Sequence, residues 1–297
     1  MQIKKDALEV YTPEFLLSPE PLYAQLRTSE PVCRVKLPGG AEGWWITRYE
    51  DVEAALKDPR LTKNPHSVMP PERLDGVDPA ARDLYALITS HMLYVDPPDH
   101  TRLRSLVGLA FTPGLIEQWR GRIQNITDEL LNAVQTRGEM EVIEDLAFPL
   151  PMNIISEMLG IPQEDRAQFH EWTKVIIGNT SHIPTFLMIF SEVQAFTQYL
   201  FALIERRRQA PTSDLISRLI QAEEDDDRFS ANELVAMIFL LIIAGHETTA
   251  NLIGNGVLAL LQHPDQMRLL QQDSTLLPSA IEELLRYDAP VYSATSR

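Results

Sequence analysis

The sequence predicts a mainly α-helical protein with one small β-sheet, and three observations carry that prediction. Its 21 prolines stand mostly where helical patterns start or stop, the places where a helix tolerates a residue without an N–H. One stretch alternates like paired strands: Val32-Cys33-Arg34-Val35-Lys36-Leu37, a break at Pro38-Gly39-Gly40, then Trp44-Trp45-Ile46-Thr47. The segment between Ser230 and His263-Pro264 is apolar and unbroken enough for a helix that crosses the whole fold.

The elements follow in order. The alternation over Cys33 to Ile46 reads as a β-hairpin. A helix is expected at about Tyr49 to Leu56, ending before Asp58-Pro59, because the residue ahead of a proline avoids helical backbone. Leu61 to Asp78, rich in Pro, Asn and charge, reads as a long irregular connection. Pro97-Pro98-Asp99 starts a helix with an acid in its first turn, and Thr112-Pro113 starts the next. Further helices are expected at about 114–136, 151–159, 163–178, 185–208 and 212–222, and the acidic run Glu223 to Asp227 reads as a solvated loop. No repeat or shift of composition divides the chain, so residues 1–297 are expected to form a single domain.

The helix after Ser230 is the most informative. Ser230 and Glu233 form a capping-box pattern directly before Leu234–Ala244, an unbroken apolar run of eleven residues. The next strong stop is His263-Pro264, so about 32 residues of helix, about 48 Å long, are expected. Apolar almost all round, this helix is expected to be central and buried. A membrane span needs about 20 apolar residues in a row, so it reads as a core helix and no membrane association is expected.

Charge narrows the function classes. Lys plus Arg total 26 against 42 for Asp plus Glu, a net charge of -16, which repels nucleic-acid phosphates and anionic bilayers. The single cysteine, Cys33, excludes an intrachain disulfide and multi-cysteine metal sites. The N-terminus carries no apolar signal core, so a reducing cytoplasmic location is expected.

Three groups of residues could carry chemistry. The first is Ala244-Gly245-His246-Glu247-Thr248-Thr249, in the middle of the long helix. Gly costs about 1 kcal/mol in a helix interior relative to Ala, so its use there needs a reason. Gly lets a neighbour approach the backbone, and the Thr248 hydroxyl can bond the carbonyl at i−4, that of Ala244, bending the helix or opening its ladder. A carboxylate beside that hydroxyl, buried among apolar groups, is a candidate proton carrier with a raised pKa; equally, the patch could serve only to pair with neighbouring helices and shape the bend. His246-Glu247 is not a zinc-peptidase start, since position 250 is Ala, and Gly254-Asn255-Gly256 lies inside a helix, the wrong context for dinucleotide binding. The second group is His100-Thr101-Arg102-Leu103-Arg104. Its His100 and Arg104, at i and i+4, share a face that could clamp an anion or simply be solvated. The third is Glu283 and Arg286 at i and i+3, by spacing alone a weak surface pair.

Taken together and in order, three stretches resemble the bacterial soluble branch of the cytochrome P450 superfamily: Asp96-Pro97-Pro98-Asp99-His100-Thr101-Arg102-Leu103-Arg104, Ala244-Gly245-His246-Glu247-Thr248-Thr249, and Glu283-Leu284-Leu285-Arg286 followed by Tyr287-Asp288-Ala289-Pro290. The resemblance extends over the whole chain, including Trp44-Trp45-Ile46-Thr47-Arg48-Tyr49-Glu50-Asp51-Val52. It implies the cytochrome P450 fold around a haem b. It also implies a monooxygenase that inserts one atom of O₂ into a hydrophobic substrate with electrons from a ferredoxin- or flavodoxin-type donor.

By position, the resemblance makes His100, Arg104 and Arg297 propionate-binding residues and makes Glu283 and Arg286 a buried structural pair. Ala244 and Gly245 would border the oxygen pocket, Thr248 would be the hydroxyl at that site, and Glu247 would feed it protons. Substrate-lining candidates are Met92, Leu93, Ile177, Ile243, Ala244, Val291 and Tyr292, mostly apolar, which suits a polyketide, terpenoid or fatty acyl group. The family's iron ligand is a cysteine thiolate in a loop well after the Glu-x-x-Arg helix. This sequence ends eleven residues after Arg286, and Cys33 lies in the hairpin, so no metal ligand is assigned. The expectation is an inactive fragment covering the N-terminal three quarters of such a protein. The alternative is a haem-free helical protein that binds a ligand or partner without catalysis.

Overall fold

A computed structural model of the chain describes residues 7–37, 42–64, 76–177, 183–224 and 227–291. It forms two compact units, Met1–Lys63 and Asn64–Ser296. In the first, the hairpin forms where the alternation places it. Val32–Lys36 (β2) pairs antiparallel with Glu42–Ile46 (β3), with Val32 opposite Ile46 and Lys36 opposite Glu42. A two-residue strand, Leu8–Glu9 (β1), adds to it in parallel; two residues are too short to show a period. Alternation sends Cys33 and Val35 into a small core with Val10 and Leu26, while Val32 and Lys36 face outward. The helices Pro13–Leu17 and Glu20–Ser29 complete the unit with Tyr49–Lys57, which ends at Asp58 as expected.

The larger unit is helical. Pro79–Ile88 is followed by a short 3₁₀ turn, Met92–Tyr94, and then by Asp99–Ala110 and Pro113–Gln135, the latter capped by Thr112. The irregular connection expected at Leu61 to Asp78 falls largely on residues outside the described ones. A wide turn, Ile143–Ala147, leads into the helix Pro149–Met158, and the Phe148 N–H reaches back five residues to the Ile143 carbonyl at 2.8 Å. Pro149 and Pro151 lack N–H groups, so a regular ladder cannot run through this entry. Gly160 then turns the chain at φ +71, and the Arg207 guanidinium donates to its carbonyl at 2.6 Å. Asp214, its side chain 6% exposed, pairs with Arg207 and accepts from the Ser217 N–H at 2.7 Å to cap Leu215–Gln221.

Three expectations are corrected here. The helix expected at 163–178 is a 3₁₀ turn, Gln163–Asp165, followed by Arg166–Ile176. The helix expected at 185–208 is divided into Ile183–Met188 and Phe190–Gln209, because Ile189 leaves helical geometry to bury its side chain. The acidic run at 223–227 is not a loop: Glu223–Glu224 pairs with Asp227–Arg228 as a two-stranded ribbon.

The long helix spans Ala231–Gln262, with both halves of the Ser230–Glu233 capping box formed and His263 as its C-cap. Every residue from Leu234 to Leu240 is buried. By length and composition it could cross a membrane, but in this fold that half is the core of the larger unit. Its second half is covered on one side only, with Leu258 and Leu261 exposed, so the all-round burial expected holds for Leu234–Leu240 alone. The Gly254-Asn255-Gly256 step is a packing seat. An added Cβ would stand 2.6 Å from Ile143 Cδ1 at Gly254 and 3.1 Å from Leu284 Cδ1 at Gly256.

Candidate functional site

The helix Asp99–Ala110 buries Leu103, Leu106 and Ala110, an i, i+3, i+7 stripe that fixes its rotation. His100 is then partly buried and Arg104 exposed, and among the described residues Arg104 has no ion-pair partner. The arginine between them does the opposite. Arg102 pairs with Glu233 and lies 3.5 Å from Asp227 and 3.9 Å from Asp99. Glu233 also accepts the Ser230 N–H at 2.8 Å, so one carboxylate both caps the long helix and ties the His100–Arg104 helix to it. Burial alone would raise the Glu233 pKa; the hydrogen bonds from Arg102 and the Ser230 backbone outweigh it and hold the carboxyl below its ordinary range. Arg102 escaped the sequence reading because its partners are remote in the chain; the available signal was a capping-box glutamate with a spare oxygen.

On the long helix, the Thr248 hydroxyl donates to the Ala244 carbonyl at 2.6 Å, the back-bond expected from the sequence. Ala244 and Glu247 are exposed and Thr248 partly buried. The burial expected for Glu247 is therefore not found; the polar side chain that faces inward at this turn is His246, at 1% exposure. Its Nε2 lies 3.0 Å from the Phe148 carbonyl oxygen, and burial lowers its pKa from the usual histidine value. At Gly245 the close neighbour is Ile155, whose Cδ1 would stand 3.2 Å from an added Cβ. Gly245 thus admits the helix Pro149–Met158.

Glu283 and Arg286 are joined as expected, the guanidinium donating twice to the carboxylate at 2.7 and 2.6 Å. In this chain, which the resemblance makes part of a longer protein, their side chains are 57% and 70% exposed. On their helix, Leu277–Tyr287, Leu284 faces inward, seated on Gly256, which turns Glu283 and Arg286 outward. Met92, Leu93, Ile177 and Ile243 are partly buried and pack against the core of the larger unit, whereas Val291 is exposed. Tyr292 and Arg297 lie outside the described residues. Of two cavities among the described residues, one of about 500 Å³ lies beside Trp119 and Arg207 and one of about 540 Å³ beside Leu260 and Tyr287; Glu283 and Leu284 border the second, and none of the substrate-lining candidates borders either. Cys33 is buried in the sheet of the smaller unit; burial, with a lesser contribution from the Glu30 charge, raises its pKa, so it is a neutral thiol.

The family model for cytochrome P450 matches residues 74–297. Cytochrome P450 107B1 of Saccharopolyspora erythraea is 44% identical over 288 residues, covering 93% of this chain and 67% of that protein. The vitamin D(3) 25-hydroxylase of Pseudonocardia autotrophica is 43% identical over 290 residues, covering 97% and 69%. Among solved structures, the cytochrome P450 PksS of the Bacillus subtilis bacillaene polyketide synthase superposes with a TM-score of 0.85 at 40% identity, covering 94% of this chain and 69% of that one. The chain spans about two thirds of the length of these relatives.

Proposed function

Because the chain belongs to the cytochrome P450 family, whose members are haem-dependent monooxygenases, we propose that the whole protein inserts one atom of O₂ into a hydrophobic substrate and that Glu247 and Thr248 deliver the protons. The reading favours catalysis over haem-free binding. The observation that carries it is the turn at Ala244–Thr248. There a hydroxyl bonded back to the Ala244 carbonyl at 2.6 Å stands next to an exposed carboxylate, directly after the apolar run Leu234–Ala244.

The residues present fit part of the haem's needs. Arg104, exposed and free of an ion pair among the described residues, and His100 on the same face are suited to two propionates; Arg297 would join them. Ala244 and Gly245 would flank the oxygen side. Cys33, buried and neutral, does not fit as the thiolate the family requires. Haem, when bound, supplies the redox chemistry that activates O₂. The chain's own part is proton handling. Glu247 takes up a proton from solvent and hands it to a water hydrogen-bonded to Thr248 Oγ1. That oxygen, its hydrogen committed to the Ala244 carbonyl, only accepts: it holds the water in place, and the water, not the hydroxyl, carries the proton onward.

Bacterial relatives of this kind draw electrons from protein partners. A ferredoxin- or flavodoxin-type donor, a cytoplasmic location and a single P450 domain over residues 1–297 belong to the same proposal. The substrate is a polyketide, terpenoid or fatty acyl compound, with Met92, Leu93, Ile177, Ile243, Val291 and Tyr292 on its path, in keeping with their apolar character. In the haem-loaded whole protein, Glu247→Gln and Thr248→Ala are expected to divert electrons from product to peroxide; unchanged coupling in both would overturn the proton assignment. Haem added to the 297-residue chain alone is expected to give no thiolate-type ferrous-CO band; such a band would show that Cys33 or an unforeseen group ligates the iron.

A further inference from the structure

We propose that His246 is a positioning residue: its Nε2–H, held on the Phe148 carbonyl oxygen, fixes the rotation of the long helix at the turn that carries Glu247 and Thr248. The inference rests on the reading of that pair as a proton path and names what holds it in place.

The hydrogen-bond chemistry specifies the ring state. Nε2 lies 3.0 Å from the Phe148 oxygen, and a carbonyl oxygen only accepts, so Nε2 carries the hydrogen. Nδ1 is then a bare lone pair, and among the described residues it is buried without a partner. The ring also meets Phe148 edge-on, with centroids 4.3 Å apart. The titratable group facing it from another element is His170, on Arg166–Ile176, whose Nε2 meets the buried Ser156 hydroxyl at 3.1 Å. Burial disfavours a second proton on either imidazole.

A leucine would fill this position without leaving a buried polar atom unsatisfied, and such an atom costs about 1–3 kcal/mol. The bond to Phe148 therefore needs a use, and helix geometry supplies one. Successive residues are about 100° apart, so with His246 pinned inward, Glu247 sits about 100° round and Thr248 about 200° round, on the opposite side. Gly245 admits Ile155, seven residues and about two turns beyond Phe148, so consecutive residues of the long helix seat on two points of one segment. The same turn is where the Thr248 hydroxyl shares the Ala244 carbonyl, a back-bond that slightly destabilises a helix. An external anchor offsets that.

The test uses the 297-residue chain itself. Nitrogen-15 NMR of the His246 imidazole is expected to show a single neutral tautomer with hydrogen on Nε2; hydrogen on Nδ1 overturns the proposal. His246→Phe keeps a ring and removes the donor, and should raise amide exchange at residues 246–250 by about tenfold, the loss of one hydrogen bond, with Leu234–Leu240 unchanged. His246→Gln, which restores an N–H at similar reach, should return exchange to the parent level. An unchanged turn in His246→Phe, a uniform rise along the helix, or no rescue by glutamine would each sink the anchor. Coupling in the haem-loaded whole protein is the separate control: if Glu247→Gln leaves it unchanged, the proton path fails while the exchange result still decides the anchor.

Discussion

Acidification should destabilise this protein through His91 in particular. His91 is 6% exposed, stacks on Tyr94 with centroids 5.0 Å apart, and accepts the Leu93 N–H on Nδ1 at 3.3 Å to start the Met92–Tyr94 turn. Burial lowers its pKa from 6.5 to about 4. The sign follows from proton counting. Between about pH 6.5 and about pH 4 the unfolded chain binds a proton that the folded chain refuses, so stability falls as pH falls through that window and levels off below it. Protonation would also turn the Nδ1 acceptor into a donor facing another N–H. Linkage over the two pKa values gives a loss of about 2 kcal/mol between pH 7 and pH 5, within an upper limit of about 3 kcal/mol at lower pH. Urea unfolding followed by Trp119 and Trp172 fluorescence at both pH values measures the drop. His246 and His170 push in the same direction, so the decisive comparison is with His91→Asn, which keeps a short acceptor for the Leu93 N–H and cannot titrate. The variant should lose about 2 kcal/mol less than the parent over this interval. Equal losses, or a His91 ring that titrates near 6.5 by NMR, would refute the reasoning.

Other outcomes follow from the same geometry. Gly160→Ala should cost about 3 kcal/mol or more, since φ is +71 and the new Cβ would fall 2.1 Å from an oxygen of the buried Asp214 side chain, breaking its pair with Arg207; thermal unfolding reads this directly. Arg102→Met should lose about 1–2 kcal/mol, and the double variant with Glu233→Gln should lose less than the sum of the two single changes, a coupling that a double-mutant cycle reports. Glu283→Gln should leave the melting temperature of the chain unchanged, because that pair is solvent-exposed; a clear drop would mean that the carboxylate is buried after all.

What the sequence discloses about the fold is local. The long helix begins and ends as expected because its signals, the Ser230–Glu233 box and His263-Pro264, lie within a few residues of the boundaries they set. The hairpin and the Thr112 cap are legible for the same reason. The break at Ile189 is not, since burial of that side chain is a tertiary matter; the wide turn at Ile143–Ala147 was missed although its cause, Pro149 and Pro151, is local, because prolines there read simply as a helix start. The ribbon at 223–228 escaped because acidic composition says nothing about backbone pairing.

The candidate site divides along the same line. Which residue types cluster at 244–249 is a property of the sequence, and so is the Thr248 back-bond, which spans a single turn. Which of those side chains turns inward depends on where Phe148 and Ile155 stand, about a hundred residues earlier, and the motif does not encode that. The burial expected at Glu247 falls on His246 instead, a residue for which the motif gave no expectation. That placement carries chemical content. Were Glu247 the proton donor proposed above, it would need contact with solvent to be recharged, which its exposed position supplies. An anchor must keep one hydrogen bond and one charge state, which burial enforces on His246 and solvent would not. Adjacent positions on one helix thus meet opposite environments because about 100° of rotation puts one in water and the other in the core.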